Sequence, residues 1–110
     1  MASTHHNPIS IPIDHPNVRN AESFLSSWTE PFDRQKNEGT RFTFRSMISD
    51  TEVTVIFFDG YQEAVEYEKR HFHPRSSPAC STVNGSALYV ILGSDPDLVS
   101  SLAGHFAGRE

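Results

Sequence analysis

The stretch Tyr67–Ser81, YEKRHFHPRSSPACS, concentrates the side chains most able to bind a metal or act as nucleophiles: His71, His73 and Cys80. Imidazole and thiolate groups are zinc ligands, but a closed zinc site generally takes four of them in paired spacings such as C-x2-C or H-x3-H. Neither spacing occurs in this stretch. We therefore predict no metal site, and we expect no resident cofactor.

The two histidines have two interpretations. The segment YQEAVEYEKRHF is typical of an amphipathic helix that Pro74 would end, so His71 would lie at its negative C-terminal end and His73 just beyond it. Alternatively, His71 and His73 line a cleft between a sheet and its helices. Tyr61 is a further polar group for such a cleft, and Trp28 is an aromatic that would line either a ligand pocket or the core.

Other catalytic patterns are weak or absent. Cys80 would become a nucleophile only if a histidine lay beside it in the fold, and a lone cysteine is otherwise a small buried hydrophobe. Asp95 and Asp97 in GSDPD indicate a capped helix rather than a phosphate loop. No G-x-G-x-x-G, P-loop or G-x-S-x-G motif occurs, which argues against nucleotide enzymes and α/β-hydrolases, and no catalytic residue is assigned.

Length and composition indicate a single globular domain. A chain of 110 residues with 36% hydrophobic and 21% charged residues fits one domain, which we place at 9–110 after a flexible tail at 1–8. The net charge of −5 argues against nucleic acid and anionic membranes as partners. The longest apolar run, ALYVIL, is far below the roughly 20 residues of a membrane helix. MASTHHNPIS resembles no signal peptide, which favours a cytoplasmic location.

The first elements that would position these residues are a strand and a helix. ISIPI, at 9–13, alternates apolar residues, but Pro12 restricts it to an edge strand or a strap across another element. A helix is predicted from Asn17, a potential N-cap, with Pro31 kinking or restarting it and Gly39 ending it. Its apolar face would carry Val18, Ala21, Leu25, Trp28 and Phe32.

Two hairpins and a closing helix complete the prediction. The first hairpin consists of the strands RFTFRSMIS and EVTVIFF on either side of the turn SDT. The second consists of STV and SALYVIL on either side of Asn84-Gly85, a pair that favours a two-residue turn with positive φ at both central positions. The last helix would begin at Ser94 or Asp95, with Pro96 in its first turn and an apolar face of Leu98, Leu102 and Phe106.

These elements predict an α+β fold with a largely antiparallel sheet of four to five strands and helices mainly on one face. If 9–13 joins the sheet, the order is the ferredoxin-like βαββαβ plus a C-terminal helix; if not, it is ββαββα. VTVIFF and ALYVIL offer apolar side chains to both faces of the sheet. The face of the sheet opposite the helices must then be covered, either by self-association or by the helix that carries Trp28. Ile56 or Phe58 would lie on that face. We expect a homodimer.

The strand VTVIFF followed by the helix YQEAVEYEKRHFH resembles the second half of dimeric α+β barrel domains. That resemblance implies haem binding or oxidation of aromatic substrates in some members, with His71 or His73 as the residue to test. The Asn84-Gly85 hairpin and the long terminal helix depart from the family pattern.

The leading functional hypothesis is a non-enzymatic domain that binds a protein partner or itself. The alternative is a small ligand-binding protein or enzyme that uses the histidine-containing cleft.

Overall fold

The computed structural model describes residues 8–12, 14–28, 31–37, 40–71 and 79–106. The described chain forms three helices and five strands: α1 (Pro16–Ser26), β1 (Phe32–Asn37), β2 (Arg41–Ser46), β3 (Glu52–Phe57), α2 (Tyr61–His71), β4 (Ala79–Asn84), β5 (Ala87–Leu92) and α3 (Pro96–Phe106). The strands lie in the order β1-β2-β3-β5-β4, and every neighbouring pair is antiparallel. The predicted α+β class and antiparallel sheet are confirmed.

Two cores lie on opposite faces of the sheet. The main core packs α1 and α3 against one face of the strands, and it contains Val18, Leu25, Phe42, Phe44, Val53, Val55, Phe57, Tyr89, Ile91, Leu102 and Phe106. The second core packs α2 against the other face, and it contains Ile56, Phe58, Ala64, Val83, Leu88 and Val90. Because successive strand residues point to opposite faces, β3 and β5 supply both cores, which explains why β5 and the second half of β3 are apolar on both faces.

The placement of α2 corrects the argument for sheet-mediated self-association. Ile56 and Phe58 were expected on an uncovered face, but they are fully buried beneath α2 within one chain. The Trp28 segment packs against the main core on the opposite face, so it does not provide the cover. The reason for expecting a homodimer, a surplus of uncovered apolar strand surface, is therefore removed, and the homodimer itself remains a prediction.

The N-terminal helix is shorter than predicted. Its N-cap is His15 rather than Asn17, because His15 Nδ1 accepts a hydrogen bond of 3.0 Å from the Asn17 backbone N–H, and Pro16 occupies the favoured first position. The helix ends at Ser26, and Phe32 begins strand β1 instead of extending the helix. Pro31 cannot donate to a helix, while antiparallel pairing with β2 satisfies the backbone that follows it. Gly39 lies outside the described residues.

The second hairpin is confirmed, but its turn is shifted by one residue. Asn84 pairs with Ala87 as the last rung of the ladder, so the central turn residues are Gly85 and Ser86. Gly85 has φ of 60° and Ser86 does not have positive φ. This is the pattern of a type II′ turn, which needs glycine only at its first central position. The Asn84 side chain is consequently free to act elsewhere.

The segment before α1 forms a strap rather than a strand. Residues 8–12 are not part of the sheet ladder, yet the Ile9 N–H donates to the Phe57 carbonyl over 2.8 Å and Ile11 is buried in the main core. Ile13 lies outside the described residues. The ferredoxin-like βαββαβ order is thus not confirmed, whereas ββαββα occurs within the observed order, preceded by α1 and β1.

The closing helix begins as predicted. The Asp95 carboxylate accepts hydrogen bonds from the Asp97 N–H (3.1 Å) and the Leu98 N–H (3.3 Å), which identifies Asp95 as the N-cap. The helix buries Val99, Leu102 and Phe106 in the main core. α3 and α2 therefore cover β4 and β5 from opposite sides.

Candidate functional site

Two of the predicted site residues lie on α2. His71 is the exposed last residue of the helix, and its ring lies 4.2 Å from that of Tyr67. Tyr61 is half-buried at the start of the helix and packs against the second core. The basic last turn of α2, which includes His71, agrees with the favourable interaction of cations with a helix C-terminus. His73 lies outside the described residues.

The other two candidates lie on the opposite face of the sheet. Trp28 follows α1 and packs against the main core, as does the half-buried free thiol of Cys80 on β4. The sheet therefore separates Trp28 and Cys80 from Tyr61 and His71, and these residues do not share one cleft. Within the described part of the chain, no group of three or more histidine, cysteine or acidic residues is arranged to hold a metal ion.

The structure forms a different cleft, between α1 and the β4–β5 turn. Its volume is about 390 Å³, within the range of small-molecule sites. The lining is formed by polar amides and hydroxyls above an apolar floor: Asn17, Asn20, Ser23, Phe24, Asn84, Gly85, Ser86, Ala87 and Tyr89. No acidic or basic side chain is among these residues. We call this site the amide cleft.

Helical spacing supplies one wall of the amide cleft. Asn17, Asn20 and Phe24 follow one another at intervals of three and four, which places them along one side of α1. Since His15 caps the helix, the Asn17 side chain is available to the cleft, and its Nδ2 donates to Ser86 Oγ across it at 3.4 Å. This bond joins the helix wall to the turn wall.

The turn supplies the opposite wall. Asn84 Nδ2 donates a 2.9 Å hydrogen bond to the Phe106 carbonyl, at the end of α3. Because a carbonyl oxygen only accepts, this partner fixes the orientation of the amide and leaves Asn84 Oδ1 as an acceptor. The shift of the turn to Gly85 and Ser86 is what allows Asn84 to take this position at the end of the ladder.

Tyr89 forms the floor. Its ring stacks on Phe106 with centroids 4.5 Å apart and meets Phe24 edge-on at 6.4 Å, and only 2% of the residue is exposed. Burial raises the pKa of the Tyr89 phenol well above its ordinary value, and no hydrogen bond contributes to that shift. The hydroxyl is therefore neutral at physiological pH and has no partner among the described residues.

Tyr89 belongs to the lining of the amide cleft. Among the described residues, Trp28 Nε1 is the only side-chain nitrogen or oxygen that is both fully buried and without a hydrogen-bond partner. Tyr89 Oη likewise has no hydrogen-bond partner among the described residues, and Tyr89 lines the amide cleft. The floor of the cleft thus includes a hydroxyl to which no described residue is hydrogen-bonded.

His105 holds the helix wall in place. Its Nε2 lies 2.9 Å from both Ser27 Oγ and the Phe24 carbonyl, and the carbonyl requires that Nε2 carry the proton. The Ser27 hydroxyl donates to the same carbonyl at 2.7 Å. The end of α1 is thereby fastened to α3, and the ring of Trp28 packs 5.0 Å from that of His105. Trp28 supports the wall rather than lining the cleft.

The arrangement is suited to binding rather than to acid–base chemistry. Amides and hydroxyls donate and accept hydrogen bonds without changing protonation, and Tyr89, the one titratable side chain among the described lining residues, is held neutral. The sequence analysis missed these residues because it gave Asn17 and Asn84 backbone roles and treated Tyr89 as core. The available signal was the pair Asn17 and Asn20 beside the apolar face of a helix.

Comparison with known proteins finds no matching family, no matching curated protein and no matching solved structure. The resemblance to dimeric α+β barrel domains therefore gains no support. None of the three described helices has the length and apolar character needed to cross a lipid bilayer.

Proposed function

We propose that this chain is a small-molecule-binding domain that takes an uncharged polar ligand in the amide cleft. The observation that carries the proposal is the lining: five amide or hydroxyl side chains from α1 and the β4–β5 turn lie over Phe24 and Tyr89, and none of the described lining residues is acidic or basic. Moving a charged ligand out of water without a compensating charge is costly, so such a lining favours a neutral one.

The proposal retains the ligand-binding alternative drawn from the sequence but moves the site. The histidine-containing cleft is replaced by one on the face of the sheet opposite to α2. Its two walls are joined by the Asn17–Ser86 bond, and the wall on α1 is fastened by His105. A pocket that is held together before the ligand arrives loses less entropy on binding.

A matched pair of lysine variants tests the proposal. Asn20 and Ser26 are both exposed on α1, but only Asn20 lines the cleft. Ligand-observed NMR with a panel of sugars, polyols, nucleosides and cyclic amides would identify binders to the unmodified chain. We expect Asn20→Lys to weaken their binding at least about tenfold, equivalent to 1.4 kcal/mol, and Ser26→Lys to leave it unchanged. Equal binding by all three proteins would reject the cleft as the site.

A second candidate function is protein binding or self-association through the β2–β3 loop. Met47 and Ile48 are 67% and 72% exposed there. The loop is nonetheless well defined, because Ser46 Oγ accepts hydrogen bonds of 3.1 Å from the backbone N–H groups of Ile48 and Ser49. Light scattering at increasing concentration, with a Met47→Ser/Ile48→Ser variant as the comparison, tests self-association. A mass of one chain throughout for both proteins would eliminate the homodimer.

A cytoplasmic location remains a prediction from the sequence and is independent of both candidates. Expression with a fluorescent tag at the C-terminus, followed by cell fractionation, would test it. Recovery of the tagged chain mainly with membranes would contradict the prediction.

A further inference from the structure

We propose that Tyr89 determines the specificity of the amide cleft: its hydroxyl donates a hydrogen bond to an acceptor on the ligand, while Asn84 Oδ1 accepts one from a neighbouring donor. The inference rests on the function proposed above and narrows the ligand class. Neutral molecules with an acceptor next to a donor fit it, and these include polyols with vicinal hydroxyls and amides of the nucleobase type.

The position of Asn84 relative to Tyr89 supports the pairing. Asn84 faces Ala87 across the β4–β5 ladder, and Tyr89 lies two residues further along β5 on the same face. Such diagonal neighbours lie roughly 7–8 Å apart, a separation that the two side chains and one small ligand can span. Both side chains contact the end of α3, Asn84 through the Phe106 carbonyl and Tyr89 through the Phe106 ring.

The donor and acceptor roles follow from the local chemistry. One of the two Nδ2 protons of Asn84 is donated to the Phe106 carbonyl, and Oδ1 has no partner among the described residues, so the oxygen is available to a ligand as an acceptor. The Tyr89 phenol is neutral and can donate its proton, and no described residue competes for it. A ligand that covers the Tyr89 hydroxyl without forming a hydrogen bond to it removes the hydroxyl from water and leaves it unpaired, which costs free energy. The site therefore discriminates strongly against ligands that lack a hydrogen-bond acceptor at this position.

Tyr89→Phe is a clean test because the hydroxyl has no hydrogen-bond partner to lose among the described residues. The variant retains the ring that packs on Phe24 and Phe106, so its urea midpoint should match that of the unmodified chain. Tyr61→Phe is the matched control, since Tyr61 packs against the second core on the opposite face of the sheet.

The probes are myo-inositol and methyl α-D-glucopyranoside in a polyol arm, and uracil and uridine in an amide arm. We expect one arm to bind the unmodified chain, Tyr89→Phe to weaken that binding about threefold to tenfold, and Tyr61→Phe to leave it unchanged. Binding should also move the ¹³Cζ resonance of Tyr89, which reports on hydrogen bonding to its hydroxyl. The arm that binds identifies the chemical source.

Two outcomes overturn the inference and are distinguishable. If a probe binds Tyr89→Phe as tightly as the unmodified chain but binds Asn20→Lys poorly, the amide cleft is a site and Tyr89 does not determine its specificity. If neither arm binds, or if binding survives Asn20→Lys, the inference fails together with the function on which it rests.

Discussion

Replacing Phe106 with alanine should destabilise the protein by about 4–5 kcal/mol. Phe106 is fully buried at the end of α3, and its ring stacks on Tyr89 and meets Phe24 edge-on at 6.5 Å. Truncation of a buried phenylalanine costs about 3–5 kcal/mol, and aromatic pairs contribute about 0.5–1.5 kcal/mol each beyond the buried area. The upper part of the first range is therefore expected.

Urea denaturation followed by far-UV circular dichroism measures this change through the transition midpoint at constant slope. Phe106→Leu keeps part of the buried volume but loses the ring contacts with Tyr89 and Phe24, so it should cost about 1–3 kcal/mol, less than Phe106→Ala. Ser101→Ala, at an exposed position of the same helix, should change stability by no more than about 0.5 kcal/mol. A loss below about 1 kcal/mol for Phe106→Ala would refute the reasoning, because it would mean that the last turn of α3 is not docked on the floor of the amide cleft.

Three further predictions concern the fold. In urea denaturation, Gly85→Ala should destabilise the protein by about 1–2 kcal/mol, because alanine is strained at the Gly85 φ of 60°. Gly104→Ala lies in a helix with nothing within 4 Å of the added methyl group, so it should stabilise the protein by about 0.5–1 kcal/mol. Equal effects of the two substitutions would contradict the turn assignment. Two hydrogen bonds from Ser94, mainly that of its side chain and then that of its backbone N–H, lower the pKa of the Asp50 carboxyl from its ordinary value of 3.8. The ionised Asp50 carboxylate therefore contributes its full stabilisation above pH 3.8, and this stabilisation is lost as the pH falls through the lower pKa of the folded state. Urea titrations between about pH 2 and 5 should show this part of the acid sensitivity disappear in Asp50→Asn, and an unchanged profile would argue against the bond. Ile56→Lys should unfold the chain, since it buries a charge beneath α2; a folded monomer by light scattering would contradict the second core.

Local signals account for the elements that sequence analysis predicted well. The β4–β5 hairpin follows from Asn84-Gly85 between STV and SALYVIL, and α3 follows from Asp95 and Pro96 before an apolar face. The error at α1 arose where a local pattern competed with pairing: Trp28 and Phe32 continue the helical spacing, but the segment after Pro31 pairs with β2. Periodicity in one segment does not reveal which distant strand will satisfy its backbone.

The covering of the second sheet face depends on topology rather than on local pattern. β3 and β4 run in the same direction with β5 between them, so the connection carrying α2 must cross one face of the sheet. Chain handedness decides which face it crosses, and the apolar periodicity of α2 is the same in either case. This is why Ile56 was expected to be exposed, although it is buried.

The amide cleft could not be predicted because its walls come from distant parts of the chain. Asn17 and Ser86 are 69 residues apart in sequence, and each has an adequate local explanation, in a helix start and in a turn. Tyr89 lies in an apolar strand that would be buried in any arrangement. Only the packing of α1 beside the β4–β5 turn places Tyr89 at the floor of a cavity lined by amides.

The most direct test of the account is chemical-shift mapping on the ¹⁵N-labelled full chain with the same panel of sugars, polyols, nucleosides and cyclic amides. The account predicts that a binder shifts backbone amides of Asn17, Asn20, Ser86 and Tyr89, on both walls and the floor of the amide cleft, while α2 on the opposite face is unaffected. Saturable shifts confined to α2 or to Met47 and Ile48, or the absence of saturable shifts with every member of the panel, would contradict it.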